Sequence, residues 1–345
     1  MADHKAQASK DKMDAVSSTV RGRVGIVAIG RNEGNRLIQC LDSLAPLGLP
    51  IVYVDSASTD GSPAAAKARS ADVLDLDLTI AFTAARARNE GFDRLLSIAP
   101  DIEYVQFVDG DCEIEDGWIA AAVDFLDQHS DAAVVCGRRK ERYPEASFYN
   151  RICDQEWNTD IGQSNACGGD ALMRVSALTA VGGYNSGIIA GEEPEMCSRM
   201  RSNGLKIWRI DQPMTIHDAD MHHFRQWWLR AVRSGFGYAQ VWWTTRQVGT
   251  ALYGRELARA IFWAVVLPLL FLAGAVFFHP LLLLLLPGVY LLQIARMAVK
   301  QGAGDGFSWK IATLNIVGKF GESLGIFRFI ARMVKGQQGG AIFYK

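Results

Sequence analysis

Two carboxylates stand two positions apart after an apolar run, and this spacing suits a divalent metal ion. The run Tyr104–Val108 reads as a buried β-strand, and Asp109, Gly110 and Asp111 follow it directly. Side chains two apart in a strand lie on one side, and the glycine between them lets a ligand come close. Hard ions such as Mg²⁺ or Mn²⁺ bind carboxylates together with phosphate oxygens and water. One interpretation is therefore a metal–diphosphate site, and the other is a solvated acidic turn.

Alternating strands and helices would position this motif. Predicted strands at Val24–Ile29, Ile51–Val54 and Val73–Leu76 are separated by helical segments and short polar loops. This alternation predicts an α/β fold with a mostly parallel sheet and helices on both faces. The strand before Asp109 would belong to that sheet. Open α/β sheets bind ligands beyond the carboxyl ends of their strands, which is where both carboxylates stand.

Composition excludes some classes of function. The chain has 345 residues and a net charge of −1, so nothing indicates a nucleic-acid partner. Its six cysteines are scattered without a C-x-x-C pair, which favours reduced thiols in a cytoplasm-facing domain over a zinc site. The N-terminus lacks an apolar core, so we expect no secretory signal.

The final third changes character. Residues 224–243 mix tryptophan with arginine at helical spacing, which suits a membrane interface or, alternatively, a packing helix of a soluble domain. Leu257–Phe278 and Pro280–Val299 are each long and apolar enough to span a bilayer. Basic residues at both outer ends predict a hairpin with both ends in the cytoplasm, and a re-entrant hairpin is the alternative. The basic, amphipathic stretch Trp309–Val334 predicts an interfacial helix.

Short motifs along the first two thirds occur in a familiar order. V-G-I-V-A-I-G-R-N-E opens at 24–33, and Y-V-D-S-A-S-T-D-G-S follows at 53–62. R-A-R-N-E-G at 86–91, F-V-D-G-D at 107–111 and G-E-E-P-E at 191–195 complete the series. Over roughly residues 22–240 the chain resembles the family 2 glycosyltransferases, inverting enzymes with the GT-A fold. The resemblance implies transfer of a sugar from a nucleotide-diphospho-sugar, with a UDP-sugar favoured.

The resemblance also implies roles for individual residues. The implied nucleotide-sugar contacts are Ile29, Arg31, Asn32, Glu33, Asp55, Ser56, Arg86, Arg88, Asn89, Asp109 and Gly110. The implied metal ligands, for Mg²⁺ or Mn²⁺, are Asp111, Asp109 and His217. The implied acceptor contacts are Gly168, Gly169, Asp170, Trp227 and Arg230. Glu193, or failing that Glu192, would take the proton of the acceptor hydroxyl.

The chain departs from the family pattern at three places. Ser56 replaces the second aspartate of the V-D-D signature, which leaves Asp55 as the main candidate for the base and ribose. Glu193 stands where the family has its catalytic aspartate. The Q-x-x-R-W motif of processive synthases is absent, since F-R-Q-W-W-L-R at 224–230 does not match it. The missing motif disfavours a processive synthase. The exchange at Glu193 is the feature that favours the alternative function, a catalytically silent nucleotide-sugar-binding or scaffolding subunit. A nucleotidyltransferase is less consistent, because it usually carries a Gly-rich, Lys/Arg-bearing phosphate loop near its first strand and G-R-N-E-G does not have that form.

The sequence thus predicts five segments. A flexible tail (1–22) precedes a GT-A domain (23–223), an interfacial Trp/Arg-rich segment (224–256), an apolar hairpin (257–300) and an amphipathic C-terminal segment (301–345). A single helix would already anchor the chain, so this arrangement predicts a lipid-linked or polysaccharide acceptor and contact with membrane lipids. We expect the catalytic domain on the cytoplasmic side of the inner (plasma) membrane. Simple tethering of an enzyme with a soluble acceptor is the alternative.

Overall fold

The structure, a computed structural model, describes residues 20–246, 249–302 and 304–336. These residues form two compact units, and the boundary follows Asp220. Residues 1–19 of the predicted tail and residues 337–345 of the predicted C-terminal segment lie outside the described residues. The five predicted segment boundaries remain a prediction.

The first unit is an α/β domain around one sheet of nine strands. The strands are β1 (Val24–Gly30), β2 (Ile51–Asp55), β3 (Asp72–Asp75), β4 (Tyr104–Asp109), β5 (Cys112–Ile114), β6 (Ala132–Glu141), β7 (Gly162–Ser164), β8 (Ala171–Arg174) and β9 (Lys206–His217). The helices are α1 (Asn35–Leu44), α2 (Ser62–Lys67), α3 (Ala84–Ile98), α4 (Trp118–Gln128), α5 (Phe148–Trp157), α6 (Val175–Ala180) and α7 (Glu192–Ser202).

The sheet has a parallel part and a mixed part. Its strand order is β3-β2-β1-β4-β8-β6-β9-β5, and β7 also pairs with β9. Strands β3, β2, β1 and β4 are all parallel, as the strand–helix alternation predicted. Strand β8 then pairs antiparallel with both β4 and β6, and β6 pairs parallel with β9. Because β8 lies beside β4, residues from distant parts of the sequence meet at the end of β4.

The central strands are buried over nearly their whole length. Every residue of β2 is buried, and β1 and β4 are buried except at their final residue. Such continuous apolar runs are typical of parallel strands covered by helices. Gln106, inside β4, is completely buried and accepts a hydrogen bond of 2.9 Å from the Trp118 indole on α4. Its amide also donates to the Phe107 carbonyl, so burial of this polar group is compensated.

The second unit is helical. Its helices are α8 (Phe224–Thr245), α9 (Gly254–Ile261), α10 (Leu267–Phe277), α11 (Leu285–Lys300) and α12 (Gly306–Val334). A π-helical segment, Phe262–Val266, joins α9 to α10, and a 3₁₀ segment, Pro280–Leu284, precedes α11.

Helices α8 and α12 pack with their backbones in close contact. A Cβ atom at Gly235 would lie 1.9 Å from the Glu322 carbonyl oxygen, and one at Gly325 would lie 2.0 Å from that of Val232. Only glycine allows this approach at either position. Trp227 is 8% exposed, and its ring packs over Gly318 of α12. At this residue α8 therefore behaves as the packing helix that the sequence left as an alternative.

Two stretches of the second unit are long and apolar enough to cross a membrane. They are Gly254–Phe277, with a mean hydropathy of 2.5, and Pro280–Lys300, with 1.9. Most of their large apolar side chains are exposed, including Leu270, Phe277 and Leu292. Length and composition alone are weak evidence of membrane attachment, but the exposure separates these helices from buried core helices.

Candidate active site

The D-x-D turn closes β4 and leads directly into β5. The Gly110 amide donates to the Ile29 carbonyl at 2.8 Å, which ties the turn to the end of β1. The two carboxylates have different partners. Asp109 Oδ1 lies 2.8 Å from an Arg88 nitrogen, whereas Asp111 Oδ1 lies 3.3 Å from His217 Nε2. Burial raises the pKa of the Asp109 carboxyl, and the Arg88 guanidinium opposes that rise.

Asp111 and His217 form the pair best suited to a metal ion. Strand β5 pairs with β9 so that Cys112 stands opposite His217, which brings the imidazole to the turn. Asp111, Cys112 and His217 place their ligand atoms within 4.8 Å of one another. Burial raises the pKa of the Cys112 thiol well above its usual range, so this group stays protonated and is a poor ligand for a hard ion. The carboxylate and the imidazole fit Mn²⁺ or Mg²⁺ whose other ligands come from a diphosphate and water.

The ring of His217 is oriented by its surroundings. The Trp157 ring packs edge-on against it, with the ring centroids 4.7 Å apart. Among the described residues, the buried Nδ1 atom has no hydrogen-bond partner, while Nε2 faces Asp111. Because Nδ1 is buried, Nε2 is the nitrogen that could bind a metal ion together with Asp111.

Arg88 connects the D-x-D turn with the second acidic pair. It lies on α3, it is buried, and its Nη1 atom is 2.9 Å from Glu192 Oε1 and 3.2 Å from Glu193 Oε1. Its Nη2 atom bonds Asp109. One guanidinium therefore holds three carboxylates from two elements that are distant in sequence. Arg88 was predicted to contact the diphosphate of the donor. In the structure, its guanidinium instead pairs with these three carboxylates.

Glu192 and Glu193 begin α7, where backbone N–H groups and the helix dipole favour negative charge. Glu192 is almost completely buried, whereas the Glu193 side chain is 15% exposed. Burial, with the charge of Glu192 as a second cause, raises the pKa of Glu193 from 4.5 to about 7, and Arg88 opposes this rise. A carboxylate with a pKa near neutrality is suited to accept a proton.

Asp170 lies beneath the D-x-D turn. Its carboxylate is completely buried, accepts hydrogen bonds from the Asp109 amide (2.9 Å) and the Thr215 hydroxyl (2.8 Å), and lies 2.7 Å from an Arg139 nitrogen. The predicted acceptor role of Asp170 remains a prediction. What the contacts show is that this carboxylate joins β4, β6 and β9.

Gly169 permits the close approach of these charged groups. A Cβ atom at this position would lie 2.6 Å from both an Arg88 nitrogen and an Asp109 oxygen. A Cβ atom added at the neighbouring Gly168 would have none of the surrounding atoms within 4 Å. Any side chain at Gly169 would therefore push Arg88 or Asp109 out of place.

The residues predicted to contact the nucleotide lie at the carboxyl ends of β1 and β2. Asp55 is buried, and its two oxygens accept hydrogen bonds from the Tyr53 hydroxyl and the Ser58 amide. Asn32 has a φ of 55°. Its side-chain oxygen accepts a hydrogen bond from the Thr59 backbone amide, and its backbone amide donates one to the Ser58 hydroxyl. These bonds hold the two loops together.

The remaining predicted nucleotide-sugar contacts are dispersed around this edge. The Ser56 amide donates to the Gly30 carbonyl. Glu33 forms an ion pair with Arg36, and the Arg31 guanidinium lies over the Phe82 ring.

Arg86 and Asn89 bind loops of the protein. Arg86 donates to the carbonyls of Asp77 and Ile80 and pairs with Glu90. Asn89 bonds the backbone of Tyr184 on both its amide nitrogen and its oxygen. The structure thus brings Arg88, Asp109, Glu192 and Glu193 together, and it places Arg86 and Asn89 in supporting contacts elsewhere on α3.

Two residues of the cluster were missed by the sequence reasoning. Arg139 and Thr215 contact Asp170, but neither belongs to a motif. The available signal was R-R-K at the end of β6, where basic residues follow a buried strand. Trp227 and Arg230, predicted to bind the acceptor, lie on α8 in the second unit, and their roles remain a prediction.

Comparison with known proteins agrees with the predicted fold and family resemblance. The sequence model of the family Glycosyl transferase family 2 matches residues 26–182, which include most of β1 and all strands from β2 to β8. The succinoglycan biosynthesis protein ExoA of Rhizobium meliloti (strain 1021) is 24% identical over 226 residues, which cover 61% of this chain and 65% of that protein. The match thus spans less than two thirds of that relative.

A solved structure shares the fold. The mannosyltransferase PcManGT from Pyrobaculum calidifontis, solved with GDP-Man and Mn²⁺, superposes with a TM-score of 0.58. It is 16% identical, and the superposition covers 88% of this chain and 87% of that one. This likeness confirms the predicted GT-A fold. With the ordered motifs, these comparisons show that residues 26–182 are similar to the family 2 glycosyltransferases.

Proposed function

We propose that the protein is a metal-dependent, inverting glycosyltransferase that uses a nucleotide-diphospho-sugar. The observation that carries this proposal is the position of Arg88, which bonds Asp109 at the D-x-D turn and both glutamates of α7. One buried side chain therefore holds both Asp109, on the donor side of the site, and Glu193, the proposed base. The pair Asp111–His217 lies beside them for the metal.

The reaction requires the protein to neutralise charge on the leaving group and to accept a proton from the acceptor. A divalent ion held by Asp111 and His217 would neutralise the charge that develops on the leaving nucleoside diphosphate. Glu193 accepts the proton of the acceptor hydroxyl as that oxygen bonds the anomeric carbon. The bond from that carbon to the diphosphate breaks as the new bond forms, so attack from the opposite side inverts the anomeric centre. Nothing in this sequence of events needs a sugar covalently bound to the protein.

The nucleotide would lie at the ends of β1 and β2. Asp55 and Asn32 shape the loops there through the Tyr53, Ser58 and Thr59 hydrogen bonds. We favour a UDP-sugar, and the GDP-Man bound by the mannosyltransferase makes GDP-sugars the first competitor to test.

The acceptor is a lipid-linked saccharide in this proposal. The two exposed apolar helices suit a bilayer, and the ExoA relative is named for succinoglycan biosynthesis. Together they support a role in cell-surface polysaccharide or glycolipid synthesis. The reaction would then take place at the cytoplasmic face of the inner membrane.

A donor screen with the full chain in lipid bilayers tests the proposal. UDP- and GDP-sugars are offered with Mn²⁺, Mg²⁺ or chelator, and release of the nucleoside diphosphate is measured with and without polyprenyl-diphosphate saccharides. We expect metal-dependent release from one donor class, accelerated by the lipid-linked acceptor. Equal acceleration by a soluble saccharide would show that the helices serve as a tether. Donor binding without release or transfer would instead support the silent scaffolding subunit.

A further inference from the structure

The structure contains a second group of potential metal ligands beside the first. Asp109, Cys112 and Asp170 place their ligand atoms within 4.8 Å of one another. Cys112 belongs to both groups, so the two adjoin. The Cys112 thiol is a poor ligand for a hard ion, so the two carboxylates are the groups that would attract a divalent ion here.

Arg139 occupies this second group. Its Nη2 atom lies 2.7 Å from Asp170 Oδ2 and 3.6 Å from Asp109 Oδ2, so one nitrogen faces both carboxylates. The guanidinium is also placed over the Trp157 ring, 5.6 Å from its centroid. The arginine side chain is only 16% exposed. An arginine held between an aromatic ring and two carboxylates has little freedom to leave.

The charges explain why a cation is needed here. Asp170 is completely buried, and Asp109 is next to it through the bond from its amide to Asp170 Oδ1. Two carboxylates at this distance repel unless a positive charge lies between them. Arg88 neutralises Asp109 from the other side, which leaves Asp170 dependent on Arg139.

We propose that Arg139 is a built-in cation that fills the Asp109–Cys112–Asp170 group and so restricts the divalent ion to Asp111 and His217. Arg139 thus determines where a divalent ion binds and how many ions bind, and it does not itself bind the metal. The inference rests on the proposed metal site at Asp111–His217. It predicts that removing the positive charge creates a second site for a divalent ion.

The test counts Mn²⁺ ions bound by the full-length protein in detergent, by electron paramagnetic resonance of free Mn²⁺ and by calorimetry. We expect one ion for the wild type and two for Arg139→Gln. Arg139→Lys keeps a cation and should bind one ion. Arg138→Gln is the matched control, since the Arg138 side chain pairs with Asp154 and not with Asp109 or Asp170, and this variant should also bind one ion.

A double variant separates the second site from a general loosening of the structure. Arg139→Gln with Asp170→Asn removes the carboxylate that Arg139 neutralises, so binding should return to one ion. A single ion in Arg139→Gln, at any affinity, overturns the inference. If the wild type binds none, the proposed Asp111–His217 site itself is wrong.

Arg139→Gln leaves a buried carboxylate unpaired and can unfold for that reason. Far-ultraviolet circular dichroism then provides the second measurement. Recovery of the wild-type spectrum on addition of Mn²⁺, with no such effect on the double variant, is the expected result. A variant that stays unfolded in Mn²⁺ contradicts the proposal, because the ion would then be unable to replace the guanidinium.

Discussion

Replacing Glu193 by glutamine should remove activity and, at the same time, stabilise the protein at alkaline pH. Glu193 has a pKa raised from 4.5 to about 7, chiefly by burial and then by Glu192. The folded state therefore favours the protonated carboxyl. Stability linked to this group is fully present below pH 4.5 and is lost as the pH rises through 7. Glutamine resembles the protonated form and does not ionise, so it avoids that loss.

The magnitude follows from the shift. A rise of this size corresponds to a loss of about 3 kcal/mol of unfolding free energy at pH 8 and about 1 kcal/mol at pH 5. Glu193→Gln should recover these amounts, so its gain in thermal stability at pH 8 should clearly exceed its gain at pH 5. Glu195→Gln is the control, because Glu195 lies on the same helix but pairs with Arg199.

The kinetic half of the prediction concerns the base. With a pKa near 7, the wild-type kcat/KM should rise about tenfold between pH 6 and pH 8, as the carboxyl loses its proton. Glu193→Gln should lower transfer by about 10²- to 10⁴-fold and leave donor affinity nearly unchanged, since the base acts on the acceptor.

Three results would count against this reasoning. A stability gain that is equal at pH 5 and pH 8 would show that burial does not perturb Glu193. A transfer rate independent of pH in this range would remove it as the base. An inactive Glu192→Gln beside an active Glu193→Gln would move the assignment by one residue.

Asp111→Asn should reduce transfer by about 10²-fold or more and abolish Mn²⁺ binding with the fold intact, and full turnover of this variant in chelator would refute a metal role. Gly169→Ala should reduce donor turnover much more than Gly168→Ala, because only the former places a Cβ atom 2.6 Å from Arg88 and Asp109; equal turnover of the two variants would contradict the observed packing. The chain should remain with membranes after alkaline carbonate washing, and its release would exclude spanning or re-entrant helices.

Much of the first unit could be read from the order of residues. Continuous apolar runs such as Val24–Ile29 predict buried strands, because a parallel strand covered by helices on both faces buries consecutive side chains. Their alternation with helices predicted the parallel part of the sheet. The motifs also located the functional edge, since carboxylates that directly follow a strand must lie at its carboxyl end.

The partners of each charged side chain depended on the tertiary structure. Arg88 and Glu192 are 104 positions apart, and Asp109 and Asp170 are 61 apart. Asp109 and Asp170 meet because β8 pairs antiparallel with β4, a choice of neighbour that no local pattern specifies. The sequence determined that Arg86 and Arg88 belong to one motif, R-A-R-N-E-G, on one helix. Only the folded chain decided that Arg88 faces the carboxylates while Arg86 binds loop carbonyls, because hydrogen bonding and charge act between side chains that the sheet brings together.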